Sequence, residues 1–137
     1  MKPLETRREE ALRLRKEGYN CAQSVLLPFD DVTGLPRELA ARITSGLGTG
    51  VGATREICGV VNAMALAQGM LQSPEASGKA ASMKCAGSLA RRFADANCGC
   101  LRCEDLKGKP GRPTCEQLVL QGVEILHRHF EEGAPAE

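Results

Sequence analysis

The chain has 137 residues, the size of one domain around one core. Its 18 Lys and Arg against 17 Asp and Glu leave a net charge of +1, and 3 % aromatic residues with no Trp supply no base-stacking platform, so neither nucleic acid nor a membrane is an expected partner. The charged stretch over 1–17 lacks the apolar run of a signal peptide or membrane span, so a cytoplasmic protein is expected, in which seven cysteines point to thiol chemistry or metal binding rather than a disulfide scaffold.

In chain order, residues 4–17 read as a charged surface helix with a thin apolar seam at Leu4, Ala11 and Leu14; Arg7, Arg8, Arg13 and Arg15 with Glu5, Glu9 and Glu10 form its solvated face. Gly18 ends it. Asn20 is a good N-cap for a second helix with the face Ala22, Val25, Leu26 and Phe29, which Pro28 ends or bends. Cys21 falls in its first turn. After the Gly34 and Pro36 loop, a third helix opens at Pro36 and runs through about Ile43.

Alternating glycines from Gly46 to Gly52 lead into an almost wholly apolar run whose only polar side chains are Cys58 and Asn62. A helix apolar on all sides is buried on all sides, so a central helix is expected over about 56–70. Cys58 would lie in its first turn, where unpaired N–H groups and the helix dipole favour a thiolate, while burial opposes it. Plain core packing is the alternative for this residue. Asn62, one turn on, either supports the Cys58 sulfur or caps a neighbouring backbone group. The glycines are read as close-packing positions. They follow a helix rather than a strand and lack the Gly-Lys-Ser/Thr of a nucleotide loop.

Ser73-Pro74-Glu75 signals a helix start, and a fifth helix should run to about Phe93 with the seam Ala76, Ala80, Met83, Gly87 and Ala90. Between Ala94 and Pro113 periodicity disappears, and Cys98, Cys100 and Cys103 fall there, in a connection expected to be held against the helices by its cysteines. Thr114 and Gln117 form a capping box for the last helix, which carries Val119, Val123, Leu126 and Phe130 inward and Cys115 as its first residue. His127 and His129 read as exposed or helix-dipole partners. Sustained period-2 alternation is absent. The expected fold is therefore all-α, about five or six helices around the central one, in a single domain over 1–137 with 133–137 frayed.

Cys21, Cys58 and Cys115 each occupy the first turn of a separate predicted helix, and Cys103 precedes a short Glu104-Asp105-Leu106 turn. Thiols at helix N-termini that converge would make a site for disulfide exchange or a metal. The residues resemble the C_GCAxxG_C_C family of redox-active proteins, named for its cysteine signature. Gly18-Tyr-Asn-Cys21-Ala-Gln-Ser-Val-Leu is similar to the opening motif, and Ser45-Gly-Leu-Gly-Thr-Gly-Val-Gly52 to the glycine-rich stretch before the second signature cysteine, Cys58. The remaining signature cysteines fall on Cys103 and Cys115. The resemblance implies an all-helical domain that uses its cysteines in redox chemistry.

Two departures stand out. Cys58-Gly-Val-Val-Asn-Ala lacks further small residues and a later glycine, and Cys85, Cys98 and Cys100 lie outside the signature. Cys100-Leu-Arg-Cys103 precedes Glu104, where c-type haem attachment needs His.

Two functions follow. In the first, a thiol redox protein needing no cofactor uses Cys21, Cys58, Cys103 and Cys115 as catalytic residues for reversible disulfide formation or electron relay. Cys21 and Cys58, distant in sequence, are expected to lie near each other at the starts of their helices. In the alternative the same cysteines, or the set Cys98, Cys100, Cys103 and Cys115, hold zinc or an iron–sulfur cluster. The expected partner is a redox protein, and a homodimer stays open.

Overall fold

The structure, a computed structural model, describes residues 1–107 and 110–133. Helix α1 covers Leu4–Lys16 and α2 Cys21–Leu26, followed by a 3₁₀ turn at Leu27–Phe29 and the one-turn helix α3 at Asp30–Thr33. Then come α4 at Arg37–Thr44, α5 at Gly59–Gly69, a 3₁₀ turn at Ala76–Gly78, α6 at Lys79–Asp95, the one-turn α7 at Cys103–Leu106, and α8 at Cys115–Glu131. No strand is present among the described residues, and the fold is all-α. None of these helices is long and apolar enough to cross a membrane.

The boundaries follow local chemistry. Asn20 caps α2, accepting from the Gln23 N–H while the Gln23 side chain accepts from Asn20 N–H. Thr114 and Gln117 do the same for α8. Gly18, with φ +101°, turns the chain out of α1. Of the end expected to fray, 133–137, Gly133 is described, its N–H bonded to Phe130 O (3.2 Å), and the rest lies outside the described residues.

Helix α5 packs against α2, α6 and α8, while α1 lies across α2 and α8. Its residues Val60, Ala63, Met64 and Ala67 are completely buried, together with Val25, Phe29, Leu89, Phe93, Val119, Val123 and Leu126 from the surrounding helices. Gly122 lets α8 approach: a Cβ there would collide with the Val60 side chain. The burial of α5 is nevertheless incomplete, because Asn62, Ala65 and Leu66 form a half-buried stripe.

Four sequence readings need correction. Helix α5 starts at Gly59, so Cys58 is its N-cap in extended conformation (ψ 138°) rather than a first-turn residue. Ile57 is drawn out of the helix by an antiparallel bridge to Arg102. Helix α6 begins at Lys79, and its inward row is Cys85, Leu89 and Phe93; Met83, on the predicted seam, is 66 % exposed. The small residues of that seam carry a weaker burial signal than Leu89 and Phe93.

The third and fourth corrections belong together. Arg7, expected on a solvated face, is fully buried, because position 7 continues the inward row of Leu4, Ala11 and Leu14. Its guanidinium donates to Pro28 O (2.6 Å), to both Asp31 carboxylate oxygens (2.7 and 3.0 Å) and from Nε to His127 Nδ1 (3.0 Å), and it lies over the Phe29 ring. His127 and His129, expected outside, are buried, the latter with Nε2 at 3.2 Å from Cys85 Sγ.

Candidate functional site

The four signature cysteines meet. Cys21 is the first residue of α2, Cys103 of α7 and Cys115 of α8, and Cys58 caps α5; all four line one partly open pocket of about 120 Å³. Arg15, Asn20, Thr49, Gly50, Lys107 and Leu118 complete much of its wall. Cys58 and Cys103 are buried, whereas Cys21 and Cys115 are half-buried.

Backbone pairing between two irregular segments brings Cys58 and Cys103 together. Cys58 N–H donates to Leu101 O (2.9 Å), Cys103 N–H to Glu56 O (2.7 Å) and Glu104 N–H to Arg55 O (3.1 Å). The stretch after α6 is therefore tied down by main-chain hydrogen bonds. Asn62 does not reach the sulfur; its Nδ2 donates to Ile57 O (3.2 Å) and Cys58 O (3.4 Å), holding the turn that aims Cys58.

The glycine-rich stretch does more than allow close packing. Thr49, Val51, Ala53 and Arg55 all adopt positive φ (49°, 67°, 66° and 62°), with Gly50 and Gly52 between them. Left-handed backbone costs a non-glycine residue about 1–2 kcal/mol and is least tolerated by β-branched Thr and Val. The coil is held by Gly52 N–H to Gly46 O (2.9 Å), Arg55 N–H to Thr49 O (3.0 Å) and Glu56 N–H to Gly50 O (3.1 Å). This conformation leaves the Thr49 N–H bonded to the Cys21 sulfur. Backbone strain concentrated at a cluster of thiols marks the place where other requirements override local preference.

Cys21 and Cys58 face each other within hydrogen-bonding reach, as expected. Gly59 makes this possible, since a Cβ there would stand 2.6 Å from Cys21 Sγ and 2.8 Å from Leu47 O. The two thiols divide unequally. A hydrogen bond from Cys58 pulls the Cys21 thiol down to about 6 against the opposing effect of burial, helped by the Thr49 and Ala22 N–H groups and the Arg15 charge. Donation to Cys21 and burial push Cys58 upward, against the Val60 and Val61 N–H groups. Cys21, the less buried of the pair and the one beside Arg15, is thus the better placed to carry the charge, with Cys58 as its donor. Burial also pushes Cys103 up, opposed by Lys107 and Arg55. Lys107 hydrogen-bonds Cys115, which pushes the ammonium group upward.

The remaining cysteines are elsewhere. Cys98 is exposed on an open cleft lined by Arg8, Asn97, Arg112 and Gln121, Cys100 is half-buried with Sγ 3.8 Å from Cys98 O, and Cys85 faces His129. The set Cys98, Cys100, Cys103 and Cys115 is thus split between the cleft side and the pocket. Among the described residues no three His, Cys, Asp or Glu side chains are grouped to hold a metal ion.

A family model described as "Putative redox-active protein (C_GCAxxG_C_C)" matches residues 19–129, most of the chain. The chain belongs to this family. No curated protein and no solved structure matches it. For a C_GCAxxG_C_C protein the family's description names redox activity without a reaction, so the chemistry has to be argued from the pocket. Sequence reasoning missed Arg15, Lys107 and the Thr49 N–H as parts of it. Lys107 carried a faint signal, one turn after Cys103, while nothing distinguished Arg15 from the other arginines of α1.

Proposed function

We propose that this protein is a thiol redox protein whose working couple is Cys21 and Cys58. The observation that carries the reading is the facing pair itself: a half-buried Cys21 stabilised as thiolate by Cys58, Thr49 N–H, Ala22 N–H and Arg15, with a buried protonated thiol behind it. That is the division of labour thiol–disulfide exchange needs, a nucleophile and a resolving thiol.

In the forward step the Cys21 thiolate attacks a sulfur–sulfur bond of the substrate, forming a mixed disulfide and expelling one sulfur anion. Cys58 then attacks the Cys21 sulfur, its proton leaving on the second sulfur anion. The substrate S–S bond is reduced by two electrons and the Cys21–Cys58 disulfide is formed. A dithiol donor reverses the sequence. Cys103 and Cys115, the latter beside Lys107, line the same pocket, and in this reading they form a second couple to which the oxidation passes. A reducing compartment such as the cytoplasm suits a resting dithiol. Whether the activity is enzymatic depends on turnover with such a donor.

The test is peptide mapping after mild oxidation of the reduced protein. A Cys21–Cys58 disulfide that dithiothreitol reverses is expected; a product joining Cys98 and Cys100 with Cys21 left as thiol would refute the assignment.

One observation favours a second reading. Four thiols line one pocket, two more than a dithiol couple uses, and four sulfurs are the donor set of zinc or an iron–sulfur cluster. As positioned, no three are grouped for one ion, so this reading requires the pocket to close up. Metal and sulfide analysis of anaerobically purified protein tests it.

A further inference from the structure

The pocket also restricts what Cys21 can meet. Its volume of about 120 Å³ is below the roughly 150 Å³ of a cavity that binds benzene, so a ligand seated wholly inside has fewer than about six heavy atoms, and a larger one engages Cys21 only from the mouth. Glutathione disulfide or a folded protein's disulfide is far larger. Two cations line the same small space, Arg15 and Lys107.

Arg15 is incompletely used. One terminal nitrogen donates to Tyr19 O at 3.1 Å and the other lies 3.7 Å from Glu116, but its Nε is buried without a hydrogen-bond partner among the described residues. The Arg15 charge, set in a pocket with a second cation, makes an anion the favoured occupant. Neutral peroxides gain nothing from this arrangement. Small anions that contain an S–S bond do.

We infer that the substrate is a short inorganic hydropolysulfide, held between Arg15 and Lys107 and reduced by the Cys21–Cys58 couple; this rests on the couple proposed above. For the hydrodisulfide anion the balance is complete. The Cys21 thiolate takes one sulfur as a Cys21 persulfide and expels hydrosulfide. Cys58 attacks the Cys21 sulfur, closing the disulfide, and the persulfide's outer sulfur leaves with the Cys58 proton as a second hydrosulfide. One S–S bond is reduced and two thiols are oxidised, with no further oxidant. Regeneration needs a dithiol donor.

The experiment treats anaerobic, reduced full-length protein with sodium tetrasulfide, glutathione disulfide or hydroxyethyl disulfide, following Cys21 and Cys58 at peptide level with the exposed Cys98 as internal reference. Relative to Cys98, tetrasulfide should oxidise Cys21 at least about tenfold faster than either disulfide does, and Arg15→Gln or Lys107→Gln should each cut that preference about threefold, one ion-pair's worth of affinity. Cys58→Ala should accumulate one to three extra sulfurs on Cys21 by mass. If glutathione disulfide closes the Cys21–Cys58 bond as readily as tetrasulfide, or if both charge variants keep the preference, the substrate assignment is overturned while the couple stands. If no reagent joins Cys21 to Cys58, the couple falls and the substrate with it.

Discussion

Gly59→Ala is the sharpest structural perturbation of the couple. Two effects of opposite sign compete. Alanine in place of glycine at a helix position is favourable by about 0.5–1 kcal/mol through backbone entropy and propensity. Against this, the new Cβ would lie 2.6 Å from Cys21 Sγ and 2.8 Å from Leu47 O. The sulfur can rotate away, at the expense of the Cys58 contact; the carbonyl is main chain, so α5 or the 46–48 segment must shift. Overpacking of this kind costs about 1–3 kcal/mol. The clash wins, for a net loss of about 1–2 kcal/mol. In a chain of this length that is a fall in Tm of roughly 3–8 °C. Displacing Cys21 from Cys58 should also raise the Cys21 pKa by about one unit, the equivalent of 1.4 kcal/mol. Calorimetry and pH-dependent alkylation of the same variant read both effects. An unchanged Tm together with an unchanged Cys21 titration would refute the packing argument.

Other expectations follow from parts of the fold outside the pocket. Arg7→Met removes the donor to Asp31, Pro28 O and His127 while filling its space, and should cost about 3 kcal/mol in urea unfolding. Burial would raise the Asp31 pKa, but the Arg7 hydrogen bonds and the Lys2 N–H win and hold it at about 2, below its ordinary 3.8. A depressed carboxyl stabilises above its unfolded pKa and loses that contribution as pH falls through the folded one, so the wild type should weaken between about pH 4 and 2 and Arg7→Met should lose most of that slope. Val51, a β-branched residue at φ 67° and 45 % exposed, should be replaceable by glycine with a gain of up to about 1 kcal/mol, less strain outweighing more chain entropy; a loss of stability on urea titration would contradict this. Cys98→Ser with Cys100→Ser should leave the rate of Cys21–Cys58 oxidation within about twofold, since surface changes away from a site are near neutral.

What could be read from residues alone was what repeats locally. The Asn20 and Thr114 caps, the Gly18 stop and the apolar run after Cys58 each sit within one or two helical turns, and each was legible. The four cysteines at helix starts were visible too, and the match to the family motif linked them. Less legible were features set by distant partners. Arg7 reads as surface until Asp31, Pro28 and His127 surround it, and α5 loses its expected first turn because residues 101–104 pair with 55–58. The left-handed course of 49–55 was hidden for the same reason: Thr49, Val51, Ala53 and Arg55 do not choose it, and the hydrogen bonds around the coil impose it. Which of Cys21 and Cys58 donates to the other was not legible, because both lie at helix starts and the difference comes from Thr49, Arg15 and unequal burial.

The central claim is that Cys21 is the thiolate of the pocket and Cys58 its donor. The direct measurement is the alkylation rate of Cys21 against pH, resolved at peptide level on reduced, metal-free protein, with Cys58→Ala alongside. An inflection at about 6 is expected for the wild type, moving upward in Cys58→Ala as the leading stabilising contact is lost. An inflection at or above the unperturbed value of about 8.5, unaltered by Cys58→Ala, would contradict the claim.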